Sequence, residues 1–192
     1  MVNNITKWKI LGLYLENYNS KYYLRELANL LKKPHQSLTP YLNALVKENI
    51  LIREKRKAIT EFSLNRKNPQ LQDYLVIAEK ERAIEKLKEP LLRILYEKIH
   101  PYFTKNIFVI FGSATKNLKE AADIDLLLIG PASIKKEVED FEEIYDKKIH
   151  VITTKLIEEI DNGLLQEIIK KHVILNNTEY ILNYFNEKQW KK

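Results

Sequence analysis

The sequence of 192 residues contains no cysteine, which excludes disulfides, thiolate zinc sites and a cysteine nucleophile. Any bound metal ion would therefore be held by carboxylates or by the four histidines. The sequence has no run of about eighteen apolar residues, and its first seven residues lack the charged-then-apolar order of a secretory signal. We therefore expect a cytoplasmic protein with no membrane partner. Because 45% of the residues are hydrophobic, the chain has enough apolar side chains to bury a core.

Positive charge is concentrated in the N-terminal third. Residues 1–68 hold 13 Lys and Arg against 5 Asp and Glu, a net charge of +8, whereas residues 69–192 hold 19 against 21, a net charge of −2. A segment with such a surplus attracts polyanions, and nucleic acid is the commonest of these. The alternative is a lysine-rich surface that only faces solvent.

The first third predicts three helices followed by a hairpin. Apolar residues at spacings of three and four predict helices over about 5–18, 23–31 and 36–48. We expect Pro40 near the start of the third helix, with Thr39 as its cap, because a first-turn proline loses no intrahelical hydrogen bond. From residue 50 the pattern predicts two strands joined by a basic tip.

This order resembles the winged helix. Segments 24–28 and 42–51 resemble its helix-turn-helix, and segment 62–65 resembles its second wing strand. The resemblance implies a double-stranded DNA partner. Side chains of the third helix would contact base edges or phosphates, and those of the wing would contact phosphates. These candidate DNA-binding residues are Gln36, Ser37, Thr39, Asn43, Arg53, Lys55, Arg56 and Lys57. A winged helix used for protein contact is the alternative.

The remaining residues predict a helical linker and a second domain. A polar joint at 65–69 precedes a helical stretch over 71–99, which Pro90 is expected to kink or split and which could act as a spacer or mediate a homodimer. Strands and helices then alternate. The predicted strands are 106–111, 124–129, 148–153 and 172–176, and the predicted helices are 133–145, 156–171 and 179–187. The expected class is α+β, with a winged helix over 1–68, a linker over 69–102 and a small mixed-sheet domain over 103–192.

Two short motifs in the second domain point to nucleotide chemistry. Gly112 and Ser113 end an apolar strand, where a missing side chain and a hydroxyl suit a phosphate, and Lys116 could neutralise its charge. Nine residues later, Asp123 and Asp125 are two apart on a second apolar strand, so both carboxylates project from one face. Such a pair suits Mg²⁺, a hard cation that also bridges substrate phosphates.

Together, the two motifs and their spacing resemble the minimal nucleotidyltransferases of the DNA polymerase β superfamily, which also includes kanamycin nucleotidyltransferase. The resemblance covers about 105–152. It implies transfer of an NMP from an NTP to a hydroxyl, with Gly112 and Ser113 holding the triphosphate and Asp123 and Asp125 holding metal ions.

The next strand departs from this pattern, because the family usually has a third carboxylate where this chain has His150. If His150 points into the site it could act as a general base or a ligand, and an imidazole ligand would shift the metal preference from Mg²⁺ toward Mn²⁺ or Zn²⁺. If it points elsewhere, catalysis should be slow or absent, and Asp146 is the substitute carboxylate.

Two hypotheses therefore stand. The first is a nucleotidyltransferase with a DNA-binding or target-selecting winged helix, whose acceptor could be a protein, an RNA or a small molecule. The second is a DNA-binding regulator or antitoxin whose nucleotidyltransferase fold is catalytically weak or only senses nucleotide.

Overall fold

The structure is a computed structural model that describes residues 6–56 and 59–190, without the side chains of Arg56 and Trp190. Helices and two separate sheets make up the described residues, so the predicted α+β class is confirmed. The chain divides into two compact units, one of residues 6–81 with 182–190 and one of Arg82–Ile181. The functional division at residues 68 and 102 stays a prediction.

The first unit begins with helices and strands in the order of a winged helix. Its elements are α1 (Lys7–Gly12), β1 (Lys21–Tyr23), α2 (Leu24–Leu31), α3 (His35–Lys47), β2 (Leu51–Arg56) and β3 (Ile59–Leu64). The sheet is antiparallel in the order β1-β3-β2, so the hairpin strand β3 is central. Helix α1 is much shorter than predicted: Thr6 caps its start, and turns replace the helix after Gly12.

Helix α3 packs one apolar face on the core and contains a proline. Leu38, Leu42 and Leu45 are buried, which confirms the predicted stripe. The helix begins at His35, so the expectation that Pro40 starts it is wrong. Pro40 has no N–H and cannot donate to the carbonyl of Gln36 one turn earlier. Both residues lie on the exposed side of the helix, where water can satisfy that carbonyl.

Two further helices follow the hairpin. Helix α4 spans Leu71–Lys86 and helix α5 spans Pro90–Ile99. Pro90 is the first residue of α5, where its missing N–H costs nothing, so the predicted stretch over 71–99 is split at this proline as expected. In the described residues, no helix is long and apolar enough to cross a membrane.

The second unit contains a four-stranded mixed sheet. Its strands are β4 (Ile107–Phe111), β5 (Asp123–Ile129), β6 (Lys148–Thr154) and β7 (His172–Ile174), in the order β6-β5-β4-β7. Strands β5 and β6 are parallel, and the other pairs are antiparallel. Strands β4 and β5 are nearly continuous apolar runs because these two central strands are buried on both faces over most of their length.

Three helices accompany this sheet: α6 (Lys135–Tyr145), α7 (Asn162–Lys170) and the start of α8 (Thr178–Trp190). The predicted helix over 156–171 is wrong in its first half. That half is a 3₁₀ turn, Ile157–Glu159, after which Asp161 begins a new helix. The Asp161 carboxylate accepts hydrogen bonds from the backbone N–H groups of Gly163 at 2.8 Å and Leu164 at 3.2 Å, which fixes the start of α7.

Candidate nucleic-acid and nucleotide sites

The polar side of α3 is open to solvent. Gln36, Ser37 and Asn43 are exposed, and Thr39 is half-buried. Since the leucines of α3 point into the core, these side chains occupy the outer half of the helix by its 3.6-residue period. All four residues proposed for contact on this helix are therefore at or near the surface.

The two faces of the wing differ in charge. Arg53 pairs with Phe62 across the hairpin, and Lys55 pairs with Thr60. Directly paired residues project from the same face, so Arg53 and Lys55 lie on the face where Phe62 enters the core. Glu54 alternates to the other face.

The opposite face of the wing carries the carboxylates. Glu54 pairs with Glu61 across the hairpin, and the Glu54 carboxylate lies 3.7 Å from the ammonium of Lys21 on β1. The cations Arg53 and Lys55 are thus separated by the thickness of the sheet from the two carboxylates. The other two residues predicted for the wing, Arg56 and Lys57, fall outside the described side chains.

Arg53 joins the wing to α3. Its guanidinium Nη2 donates a hydrogen bond to Asn43 Oδ1 at 3.0 Å, and its Cζ lies 5.6 Å from the centre of the Phe62 ring. The ring supports the flat guanidinium, while the amide of Asn43 fixes its edge. This pair makes one continuous polar surface from the helix and the strand, and we call it the Asn43–Arg53 pair.

In the second unit, β5 presents two carboxylates from one face. Asp123 and Asp125 are half-buried, and Ile124 between them is completely buried in the core on the other face. The alternation predicted from sequence is therefore the one that the strand adopts.

Gly112 lies directly against Asp125. Phe111 pairs with Asp125 across the antiparallel strands, and Gly112 then leaves β4 with φ +73° and ψ −150°, a conformation that only glycine adopts readily. A Cβ on this residue would overlap Asp125 Oδ2. Ser113 is exposed and starts a single 3₁₀ turn, Ser113–Thr115.

His150 stands beside the carboxylate pair. It pairs with Asp125 in the parallel register of β5 and β6, and its Nδ1 lies 3.3 Å from Asp125 Oδ1. The His150 side chain is 62% exposed, so the ring is not locked in the core. Asp146, the substitute carboxylate, ends α6 in a left-handed conformation and is exposed.

A cavity of about 400 Å³ opens beside these residues. One wall consists of Gly112, Asp125 and His150 from the strands, and the other is formed by α7 and the residue after it. The α7 wall contributes Leu164, Glu167, Lys170 and Lys171. The lysines that line the cavity are thus Lys170 and Lys171, whereas Lys116 is exposed outside it.

Sequence reasoning did not identify the α7 wall, because it lies about forty residues after β5 and only the fold brings it to the site. The backbone shows the connection directly: the N–H of Gly112 donates to the carbonyl of Lys171 at 3.1 Å. A pair of lysines at a helix end is too common in sequences to indicate an anion site by itself.

Metal binding at this site would depend on substrate. Among residues 6–56 and 59–190, no group of three or more His, Asp or Glu side chains is arranged to hold a metal ion. Asp123 and Asp125 fit a Mg²⁺ ion that takes its remaining ligands from phosphate oxygens and water, which is how this ion usually binds.

Comparisons with known proteins add little to this geometry. No protein-family model and no curated protein sequence matches the chain. Among solved structures, the chain is similar to TrmBL2, an archaeal chromatin protein that shows a novel mode of DNA binding, at 14% sequence identity over 99% of this chain and 93% of that chain. The TM-score of 0.28 is too low for this similarity to carry an argument about fold or function.

Proposed function

We propose that the protein binds double-stranded DNA through α3 and the wing of its first unit. The observation that carries this proposal is the separation of charge across the wing. Arg53 and Lys55 share the face on which α3 packs, and Glu54 and Glu61 lie on the other face. A surface that only keeps a protein soluble has no need for this separation, whereas a surface that docks on phosphates does.

The same face also carries groups that suit base edges. Gln36, Ser37 and Asn43 are exposed on α3, which would enter the major groove, with Arg53 beside Asn43 and with Lys55 of the wing on a flanking phosphate. Phosphate contacts position the protein, and base contacts give it sequence preference. The net charge of +8 over residues 1–68 supports the electrostatic part of this binding.

The affinity of the full chain for a labelled duplex, measured by fluorescence anisotropy between about 50 and 200 mM salt, tests this proposal. The logarithm of the binding constant should fall linearly with the logarithm of the salt concentration. In an Arg53→Ala/Lys55→Ala variant the slope should be smaller by between about one and two, because one phosphate contact and a second positive charge beside the duplex are lost. A Lys105→Ala/Lys136→Ala variant removes the same charge from two exposed positions of the second unit and should leave the slope unchanged. Equal slopes in the two double variants would refute the proposal.

A second candidate function, nucleotidyl transfer, is favoured by a separate observation. Asp123 and Asp125 share one face of β5, and Gly112 leaves room for the Asp125 carboxylate at the mouth of the cavity. The lysines of the α7 wall, Lys170 and Lys171, provide positive charge for a triphosphate.

In this reaction the oxygen of an acceptor hydroxyl bonds to the α-phosphorus of the NTP, and the bond from that phosphorus to pyrophosphate breaks. The hydroxyl proton leaves to a base, for which His150 beside Asp125 is the candidate. A divalent ion held by Asp123 and Asp125 would supply neutralisation of the phosphate charge. Since β6 has His150 where a third carboxylate would lie beside Asp125, we expect slow transfer.

Labelled nucleotides test this second candidate. The full chain is incubated with Mg²⁺ or Mn²⁺ and each NTP labelled on the α-phosphate, in the presence of cell extract as a source of acceptors. Transfer predicts label on an acceptor, its loss in Asp123→Asn, and no labelling from γ-labelled NTP, since the γ-phosphate leaves with pyrophosphate. Labelling that persists in Asp123→Asn, or that arises from the γ-phosphate, contradicts the assignment. Absence of label from every NTP leaves DNA binding as the function.

A further inference from the structure

The Asn43–Arg53 pair combines a side chain of α3 with a side chain of the wing, and its free hydrogen-bonding groups determine which base it can contact. The pair lies on the outer half of α3 and on the helix-facing side of the wing, and both side chains are exposed. If α3 enters the major groove, as proposed above, this pair faces base edges. The inference therefore rests on the proposed DNA binding.

The orientation of the Asn43 amide is fixed by its partner. A guanidinium group has five N–H donors and no acceptor, so the atom of Asn43 that lies 3.0 Å from Arg53 Nη2 must be the amide oxygen. The amide nitrogen, which is a donor, then makes no bond to the guanidinium.

A free asparagine usually reads adenine, because its oxygen accepts from adenine N6 while its nitrogen donates to N7. Here Arg53 occupies one of the two lone pairs of that oxygen, and most of the groups left for the groove are donors: the N–H groups of Asn43 Nδ2 and the remaining N–H groups of Arg53. Guanine presents two acceptors in the major groove, O6 and N7, and adenine presents one acceptor and one donor. A surface on which donors outnumber acceptors matches guanine better than adenine.

We propose that the Asn43–Arg53 pair reads a guanine in the major groove and discriminates against adenine at that position. Arg53 is held for this role by the Phe62 ring and by Asn43, so that its unused donors are presented in a fixed direction. A well-oriented set of donors on a base discriminates between base pairs by a factor between about five and a hundred.

Selection from a random duplex library with the full chain tests the proposal. The base position that faces the pair is identified as the position at which Asn43→Ala loses its preference. The wild-type chain should select guanine there. Arg53→Met removes the donors but keeps an apolar stem on Phe62, and it frees the oxygen of Asn43. The preference at that position should then shift from guanine to adenine.

Lys55→Ala is the matched control, because it removes one positive charge from the same face without a hydrogen bond to Asn43. It should weaken binding to all sequences alike and leave the preference for guanine at that position unchanged. Circular dichroism of Arg53→Met checks that the unit remains folded, and Arg53→Gln serves as the second variant if it does not.

Several outcomes would overturn the inference: no position that responds to Asn43→Ala, adenine at that position in the wild-type chain, or an unchanged guanine in the Arg53 variants. If the proposed DNA binding itself is wrong, the result is distinguishable, because the chain will show no salt-dependent duplex binding. Salt-dependent binding with a flat base preference would sink only the inference about guanine.

Discussion

The carboxylate of Asp125 lies in the space that a side chain on residue 112 would occupy. Gly112 therefore serves two purposes: it adopts a positive φ of 73°, and it admits Asp125 Oδ2 to the mouth of the cavity. The Asp125 carboxylate can take this position only because residue 112 has no Cβ.

Gly112→Ala should destabilise the second unit and disturb the candidate nucleotide site. The backbone strain alone is expected to cost about 1–3 kcal/mol, and the overlap with Asp125 adds to it. Urea unfolding followed by circular dichroism measures the change. Gly12→Ala is the control, because a Cβ on Gly12 meets nothing within 4 Å and its φ is not positive. Equal stability of the two variants would contradict the close approach of Gly112 and Asp125.

Replacing His150 with aspartate tests whether a third carboxylate next to Asp125 strengthens metal binding at the candidate site. His150→Asp places a third carboxylate next to Asp125 and should raise the affinity for Mn²⁺ in the presence of NTP about tenfold, within the usual effect of groups around a metal site. Electron paramagnetic resonance of free Mn²⁺ measures the affinity independently of activity. His150→Asn, which adds no charge, should give no gain. If both variants bind Mn²⁺ equally, His150 does not face the position of the metal.

Tyr14 connects the stability of the first unit to alkaline pH. Its buried hydroxyl donates to the backbone carbonyl of Phe62 at 2.9 Å. Burial, with smaller contributions from Tyr22 and Glu26, raises the pKa of Tyr14 above its ordinary value. The unfolded chain loses the proton above about pH 10 while the folded chain keeps it, so stability is fully present below that pH and falls above it.

Tyr14→Phe should cost about 1–3 kcal/mol at neutral pH, because the Phe62 carbonyl loses its donor. Above about pH 10 the variant should lose stability less steeply than the wild-type chain, by one proton in the slope of unfolding free energy against pH. Urea unfolding at several alkaline pH values tests both effects. Parallel slopes would contradict the burial of this hydroxyl.

His172 makes the stability of the second unit depend on acidic pH, whereas Tyr14 makes that of the first unit depend on alkaline pH. Burial, followed by the positive charge of Arg82, lowers the pKa of His172 well below its usual value. The folded chain therefore keeps this histidine neutral, so its contribution to stability is present above about pH 6.5 and is lost as the pH falls. His172→Gln should reduce the loss of stability between pH 7 and acidic pH. His100→Gln, a change at an exposed histidine, should leave the loss unchanged in urea unfolding. An equal effect of the two changes would rule out His172 as the source.

Local patterns predicted much of this architecture. The apolar runs at 107–111 and 123–129 indicated strands covered on both faces, and the two-residue spacing of Asp123 and Asp125 placed both carboxylates on one face. These features depend on a residue and its near neighbours. Alternation along one strand and burial of one helical stripe are visible without any knowledge of the remaining chain.

Features that depend on distant partners were missed. Strand β1 has only three residues and is defined by its pairing with β3, where Tyr22 pairs with Phe62. The α7 wall reaches the cavity only because the chain folds back over the sheet. A local signal does exist for the start of α7: Asp161 is a good helix cap, and it predicts a helix that begins at residue 162 and not at residue 156.

A matched pair of added lysines tests the central claim, that the α3-facing side of the wing binds DNA. Thr60 and Ser63 are both half-buried on β3, but Thr60 pairs with Lys55 on the α3-facing side, while Ser63 alternates to the side of Glu61. Thr60→Lys and Ser63→Lys add the same charge on opposite faces. We expect only Thr60→Lys to tighten duplex binding and to steepen its salt dependence by about one unit of slope. Equal gains, or a larger gain for Ser63→Lys, would contradict the account.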